Sequence, residues 1–179
     1  MVRVVQNISE EDIFNLINLS NQNFGDGYLT FEYFKEVKDS EKYYSWKLVS
    51  ANEVIGFLVV YKTSPYEVEE KIKDIEVVKN IMSPLYCIDT IVVKTTFKRK
   101  GFGKQLINRA INSFEKSSHY VMYAWQHGEK INIQRIAKCF QFNKLLFYKG
   151  YWEEECMKGD FRCPAKKDSC VCSMVLYYR

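Results

Sequence analysis

Lys94, Lys98, Arg99, Lys100 and Lys104 crowd around two glycines, Gly101 and Gly103, just ahead of an amphipathic stretch. Glycines at the first turn of a helix let the backbone approach a ligand with no Cβ in the way. The helix start also offers N–H groups without internal partners and a partial positive charge. Together with the lysines and the arginine, such a turn suits a di- or triphosphorylated ligand. Two other phosphate loops fit the spacing poorly. Gly101-Phe102-Gly103-Lys104 lacks the spacer and the Lys-Ser/Thr ending of a P-loop, and the residues after it do not complete the dinucleotide pattern.

A second group with chemical potential is the cysteines. Cys156, Cys163, Cys170 and Cys172 fall near the C-terminus, and Cys170 and Cys172 stand two apart, on one face of a strand. Thiolates in this number could hold zinc, although no C-x2-C pair is present. The alternative is unmetallated buried thiols. Cys87 and Cys139 lie in apolar segments and read as core. His127 follows a predicted strand and could face a cleft or simply sit in a surface loop.

The elements that must position these residues follow from periodicity. Residues 2–7 read as a strand, and Ser9 with Asp12 opens a helix that runs to about Asn21. A second helix spans Thr30 to Asp39. Residues 45–51 and 54–63 read as strands joined at Asn52-Glu53. From Ser64 to Pro84 the chain turns charged and can form a helix, as an insertion that covers a cleft or as a plain surface excursion. Residues 85–94 form the most β-prone run, followed by the basic turn and a helix from Gly101 to about Ser117. A strand at 120–126, a helix from Ile131 to Phe142 and strands at 150–157 and 170–178 complete the order. The fold class is a mixed α/β layer, with a parallel crossover made by the helix after the basic turn. A chain of 179 residues suits one domain, 1–179, with the insertion at about 64–84 and a Cys-rich C-terminal hairpin at about 150–179.

The run Val93-Lys94-Thr95-Thr96-Phe97-Lys98-Arg99-Lys100-Gly101-Phe102-Gly103 resembles motif A of the GNAT superfamily of acyl-CoA N-acyltransferases. That motif reads Val, four residues, Arg or Gln, two residues, Gly, one residue, Gly or Ala. Lys98 stands where Arg or Gln is usual. The resemblance implies a central, mostly antiparallel sheet with a splayed parallel pair, flanked by helices. It also implies acetyl-CoA as cosubstrate and an amine as acceptor, acetylated by direct attack. Carried over by position, Ile91, Val92 and Val93 would pair their backbone with the pantetheine arm. Lys98, Arg99, Lys100, Gly101, Phe102, Gly103 and Lys104 would surround the pyrophosphate, with the thioester in a gap beside the strand at 120–126.

In many members a tyrosine shortly before a Gly-Phe pair protonates the leaving thiolate. Here Phe147-Tyr148-Lys149-Gly150-Tyr151 is similar, which makes Tyr148 the candidate acid, or else a packed aromatic. Asp89 shares a strand face with Ile91 and Val93, and it is either the base or a carboxylate paired with a lysine.

The formal charge of +4 is too mild to imply nucleic acid by itself. A nucleic-acid-binding domain built on the basic turn, and a CoA-binding module without catalysis, are the alternatives to an enzyme acting on a small molecule or protein amine. The N-terminus has no apolar signal region and no run approaches membrane-spanning length, so the expected location is the cytoplasm, without a membrane partner.

Overall fold

The computed structural model describes residues 1–159 and 172–179. In chain order the elements are β1 (Val2–Gln6), α1 (Ile13–Phe24), α2 (Phe31–Asp39), β2 (Tyr43–Ser50), β3 (Glu53–Thr63), α3 (Pro65–Ile72), α4 (Ile75–Val78), β4 (Leu85–Val93), α5 (Phe102–Ile111), β5 (His119–His127), β6 (Lys130–Ile131), α6 (Gln134–Cys139), β7 (Asn143–Lys149), α7 (Glu153–Lys158) and β8 (Ser173–Tyr178). The strands form one mixed sheet in the order β1-β2-β3-β4-β5-β8-β7, with β6 paired onto β5. The parallel ladder joins β4 to β5, covering Leu85–Cys87 against His119–Val121, and β4 runs on beyond it to Val93.

Local chemistry accounts for the element ends. Ser9 donates its N–H and its hydroxyl to Asp12 Oδ2, at 2.6 and 2.7 Å, and so fixes the entry to α1. Thr30 Oγ1 accepts from the Tyr33 N–H at 3.3 Å and caps α2. Ala51 and Asn52 both take positive φ, 47° and 65°, the geometry that a two-residue hairpin between β2 and β3 demands. In the charged segment, Ser64 and Glu67 form a capping box with Pro65 at the first helical position.

The chain divides into two compact units, one built mainly from Met1–Val60 and Asp89–Phe114, the other from Tyr61–Ile88, Glu115–Lys158 and the C-terminal strand. In the first, Ile13, Leu16 and Leu19 of α1 and Phe34 and Val37 of α2 are buried with Phe57, Val59 and Val92 of the sheet. The Phe34 and Phe57 rings meet edge to face at 5.4 Å. In the second, Val68, Ile72, Val78 and Ile81 of the charged segment are buried with Leu85, Cys87, Val121, Met174 and Leu176. The segment at 64–84 therefore buries an apolar stripe of its own. Among the described residues, no helix is long and apolar enough to cross a membrane.

Three expectations from the sequence need correction. The helix read to Ser117 ends at Ile111, because Ser113 and Phe114 turn back in i→i+3 bonds and Phe114 packs edge-on against Tyr44 at 4.8 Å. The helix read from Ile131 to Phe142 shortens to α6, since residues 130–131 pair with β5 and Gln141 adopts φ 58°. The strand read at 150–157 lies earlier, at β7, where Asn143–Lys149 pairs antiparallel with β8. Gly150, at φ 73°, ends that strand, and three glutamates, Glu153 to Glu155, occupy the first turn of α7, where carboxylates favour a helix start. The C-terminal hairpin is thus a pair of strands, β7 and β8, with α7 between them in sequence.

Candidate active site

The basic turn begins where β4 leaves the sheet. The Lys94 N–H bonds to the Ile55 carbonyl at 2.8 Å, and Thr95–Phe97 make one tight helical turn. Arg99 and Gly101 then both take positive φ, 63° and 86°, and reverse the chain into α5. The first i→i+4 bond runs from the Gln105 N–H to the Gly101 carbonyl at 3.1 Å. The N–H groups from Gly101 to Lys104 precede it and belong to the helix start that has no internal acceptors. No side chain caps Gly101. The helix thus presents uncapped amides and a positive dipole end, a donor set that fits a diphosphate.

The basic side chains are not equivalent. Lys94 forms an ion pair with Glu53, and Lys98 Nζ donates to Asn23 Oδ1 at 2.7 Å. Lys100 Nζ lies 5.3 Å from the centre of the Phe97 ring. Arg99 and Lys104 are exposed and make no ion pair among the described residues.

Along β4, Ile88, Thr90 and Val92 are buried, while Asp89 is exposed and Ile91 and Val93 are half-buried. Asp89, Ile91 and Val93 therefore share the more open face. Asp89 Oδ2 accepts from the Tyr33 hydroxyl at 2.5 Å and from Thr90 Oγ1 at 3.3 Å. The lysine partner considered for Asp89 is absent among the described residues, and a tyrosine takes its place. Burial, and then the Asp89 charge, push the Tyr33 phenol well above its ordinary pKa, so its proton stays in the bond. The ring is held edge-on by Phe34 at 5.1 Å and Tyr43 at 6.5 Å.

Tyr148 lies in the second unit, on β7, with its ring edge-on to Tyr151 at 5.7 Å, and Tyr151 meets Trp152 edge-on at 4.7 Å. Both tyrosines line a cavity of about 650 Å3, together with Ile72 at the end of α3 and glutamates of α7. Burial, and then Glu155, push the Tyr151 phenol up to about 12. Lys71 Nζ stands 4.2 Å from the centre of the Tyr123 ring.

His127 is exposed, and its Nδ1 lies 3.7 Å from Cys172 Sγ. Of the zinc candidates, Cys156 and Cys172 are buried, while Cys163 and Cys170 lie outside the described residues. Among the described residues, no group of three or more His, Cys, Asp or Glu is arranged to hold a metal ion. Cys139, read as core, is exposed at the end of α6.

Residues 11–137 match the model of the acetyltransferase (GNAT) family. The chain belongs to this family. As a GNAT protein it is an acyltransferase, and solved structures share its fold. Arabidopsis thaliana NAA60 in complex with acetyl-CoA superposes with a TM-score of 0.74 at 18% identity, covering 100% of this chain and 98% of that one. The same Arabidopsis protein in complex with a bisubstrate analogue gives 0.73 at 18% identity, covering 99% and 97%. The ribosomal-protein-S18-alanine N-acetyltransferase of Escherichia coli gives 0.68 at 13% identity, covering 99% and 92%. No curated protein sequence matches the chain.

Within this GNAT chain, Asp89, the strand Ile91–Val93 and the basic turn all fall in the first unit, and Tyr148 falls in the second. Tyr33 carried no signal in the sequence beyond its place in a helical period. Tyr123 and Lys71 were likewise invisible, because their contact joins segments far apart in the chain.

Proposed function

We propose that the chain transfers an acetyl group from acetyl-CoA to a primary amine of a small molecule or protein by direct attack. The observation that carries this is the uncapped start of α5, with Gly101 at φ 86°. When bound, acetyl-CoA supplies an activated acyl carbon. The N–H groups of Gly101, Phe102, Gly103 and Lys104 bind its pyrophosphate, aided by the charges of Arg99, Lys100 and Lys104. The backbone of Ile91–Val93 pairs with the pantetheine amides as a further strand would. With Lys94 paired to Glu53, less free charge is left for a nucleic-acid footprint.

In the transfer a C–N bond forms and the C–S bond breaks. Asp89, oriented by Tyr33, is the proposed acceptor of the amine's proton. Tyr148, about half exposed on the cavity wall, is the proposed donor to the leaving thiolate. The chain acts as one catalytic domain, and its cysteine content is in keeping with a reducing compartment, the cytoplasm.

A thermal-shift titration with acetyl-CoA, CoA and ATP tests the cofactor. A ligand that binds the folded state raises the melting point by mass action. Stabilisation by acetyl-CoA and CoA but not by ATP is expected. No response to either form of CoA overturns the proposal. Release of free thiol with a panel of amines then separates an enzyme from a CoA-binding module.

A further inference from the structure

Asn23 stands half-buried in the last turn of α1, a helix end that packing holds firmly. Leu19 and Ser20, one turn earlier, are buried. Phe24 packs against the core and meets the Tyr28 ring at 5.2 Å, and the Gly25 N–H closes the helix on the Asn21 carbonyl at 3.0 Å. Both ends of the Asn23 side-chain amide are used. Nδ2 donates to the Leu19 carbonyl at 2.7 Å, and Oδ1 accepts from Lys98 Nζ at 2.7 Å. The first bond fixes which end faces the lysine, since a reversed amide would set its N–H groups against an ammonium.

Lys98 is the last extended residue before the reversal that starts at Arg99, φ 63°. Its bond to Asn23 spans 75 residues of sequence and ties the basic turn to α1. The nature of the partner matters as much as the bond. Lys94 meets a carboxylate, which offsets its charge, whereas an amide oxygen carries no net charge and leaves that of Lys98 in place. An ammonium has further N–H bonds to give, and Lys98 is exposed. A lysine free in solvent loses rotamer freedom when it grips an anion, and one already held loses less.

We infer that Asn23 is a positioning residue for the cofactor: it holds the Lys98 ammonium ready for the diphosphate without neutralising it. This rests on the acetyl-CoA site proposed above and adds to that site a residue from α1. Asn23, Lys98 and the start of α5 all belong to the first unit.

Calorimetric titration of the whole chain with CoA and with 3′-dephospho-CoA reads the effect without turnover. Asn23→Leu and Asn23→Ala delete the acceptor with residues that favour a helix, so the unliganded melting point should stay close to that of the parent. Each is expected to weaken both ligands by about fivefold, the cost of ordering one lysine side chain on binding. Lys98→Met, an exposed change, should weaken both by at least about tenfold. In the Lys98→Met background, Asn23→Leu should cost nothing further, an outcome that a purely structural asparagine does not produce. Unchanged affinity in the Asn23 variants, additive losses in the double variant, or a loss confined to the ligand with the 3′-phosphate each overturn the inference. A parent that binds CoA no better than its Asn23 variants keeps the cofactor site and loses only the role of Asn23. A parent that binds neither ligand removes both.

Discussion

The Tyr33 hydroxyl and Asp89 Oδ2 are 2.5 Å apart, and this one bond ties helix α2 to the open face of strand β4. The phenol is clamped by two aromatic rings while the carboxylate is exposed, so the tyrosine sets where the carboxylate sits.

Replacing Tyr33 with Phe keeps the ring packing and deletes the bond. The expected loss is about 1 kcal/mol of stability, readable as a lower urea midpoint with an unchanged slope. Acetyl transfer should fall more than cofactor affinity does, because Asp89 loses its orientation. A variant with full turnover would remove Tyr33 from the proposed chemistry.

Gly101 has open space around a would-be Cβ, so a side chain there meets no clash. Its φ of 86° is the obstacle, since a β-branched residue in that region costs about 1–2 kcal/mol. Gly101→Val should therefore fold, melt slightly lower and lose the upward shift with CoA. If the shift survives, the uncapped amides are not the pyrophosphate site.

Gly56 poses the opposite problem. A Cβ there would stand 2.6 Å from the Val92 carbonyl oxygen and 3.3 Å from Val93 Cα, against backbone that cannot rotate away. Gly56→Ala should cost about 1–3 kcal/mol by overpacking, with cofactor affinity reduced because β4 is displaced. Thermal melts with and without CoA read both effects.

Asp12 and Lys47 meet at 2.5 Å with little solvent exposure. Burial pushes the Asp12 pKa up, but the bonds from Lys47 and Ser9 outweigh it and the net direction is down. A depressed folded pKa stabilises above the unfolded value of about 3.9, and the contribution is lost as pH falls through the folded value. Asp12→Asn should cost about 3 kcal/mol near neutral pH by leaving Lys47 unpaired. It should also flatten the stability profile below about pH 4. An acid limb identical to that of the parent would show that the pair does not govern it.

Local information in the chain was enough for the strands β1 to β5, the helices α1 and α2, and the turn that carries Gly101 and Gly103. Each is written in near neighbours: alternation, a capping serine or threonine, or glycines at a helix start. Such signals survive without tertiary context because a backbone conformation and its adjacent hydrogen bonds decide them. The stretch from 131 to 158 is different. Asn143–Lys149 becomes a strand because β8 lies beside it, and 153–158 becomes a helix once Gly150 has ended that strand. Tyr33 on Asp89 and Lys71 on Tyr123 are likewise products of the fold. Side chains from distant segments must converge before geometry, burial and charge can act on them, and no local pattern records that convergence.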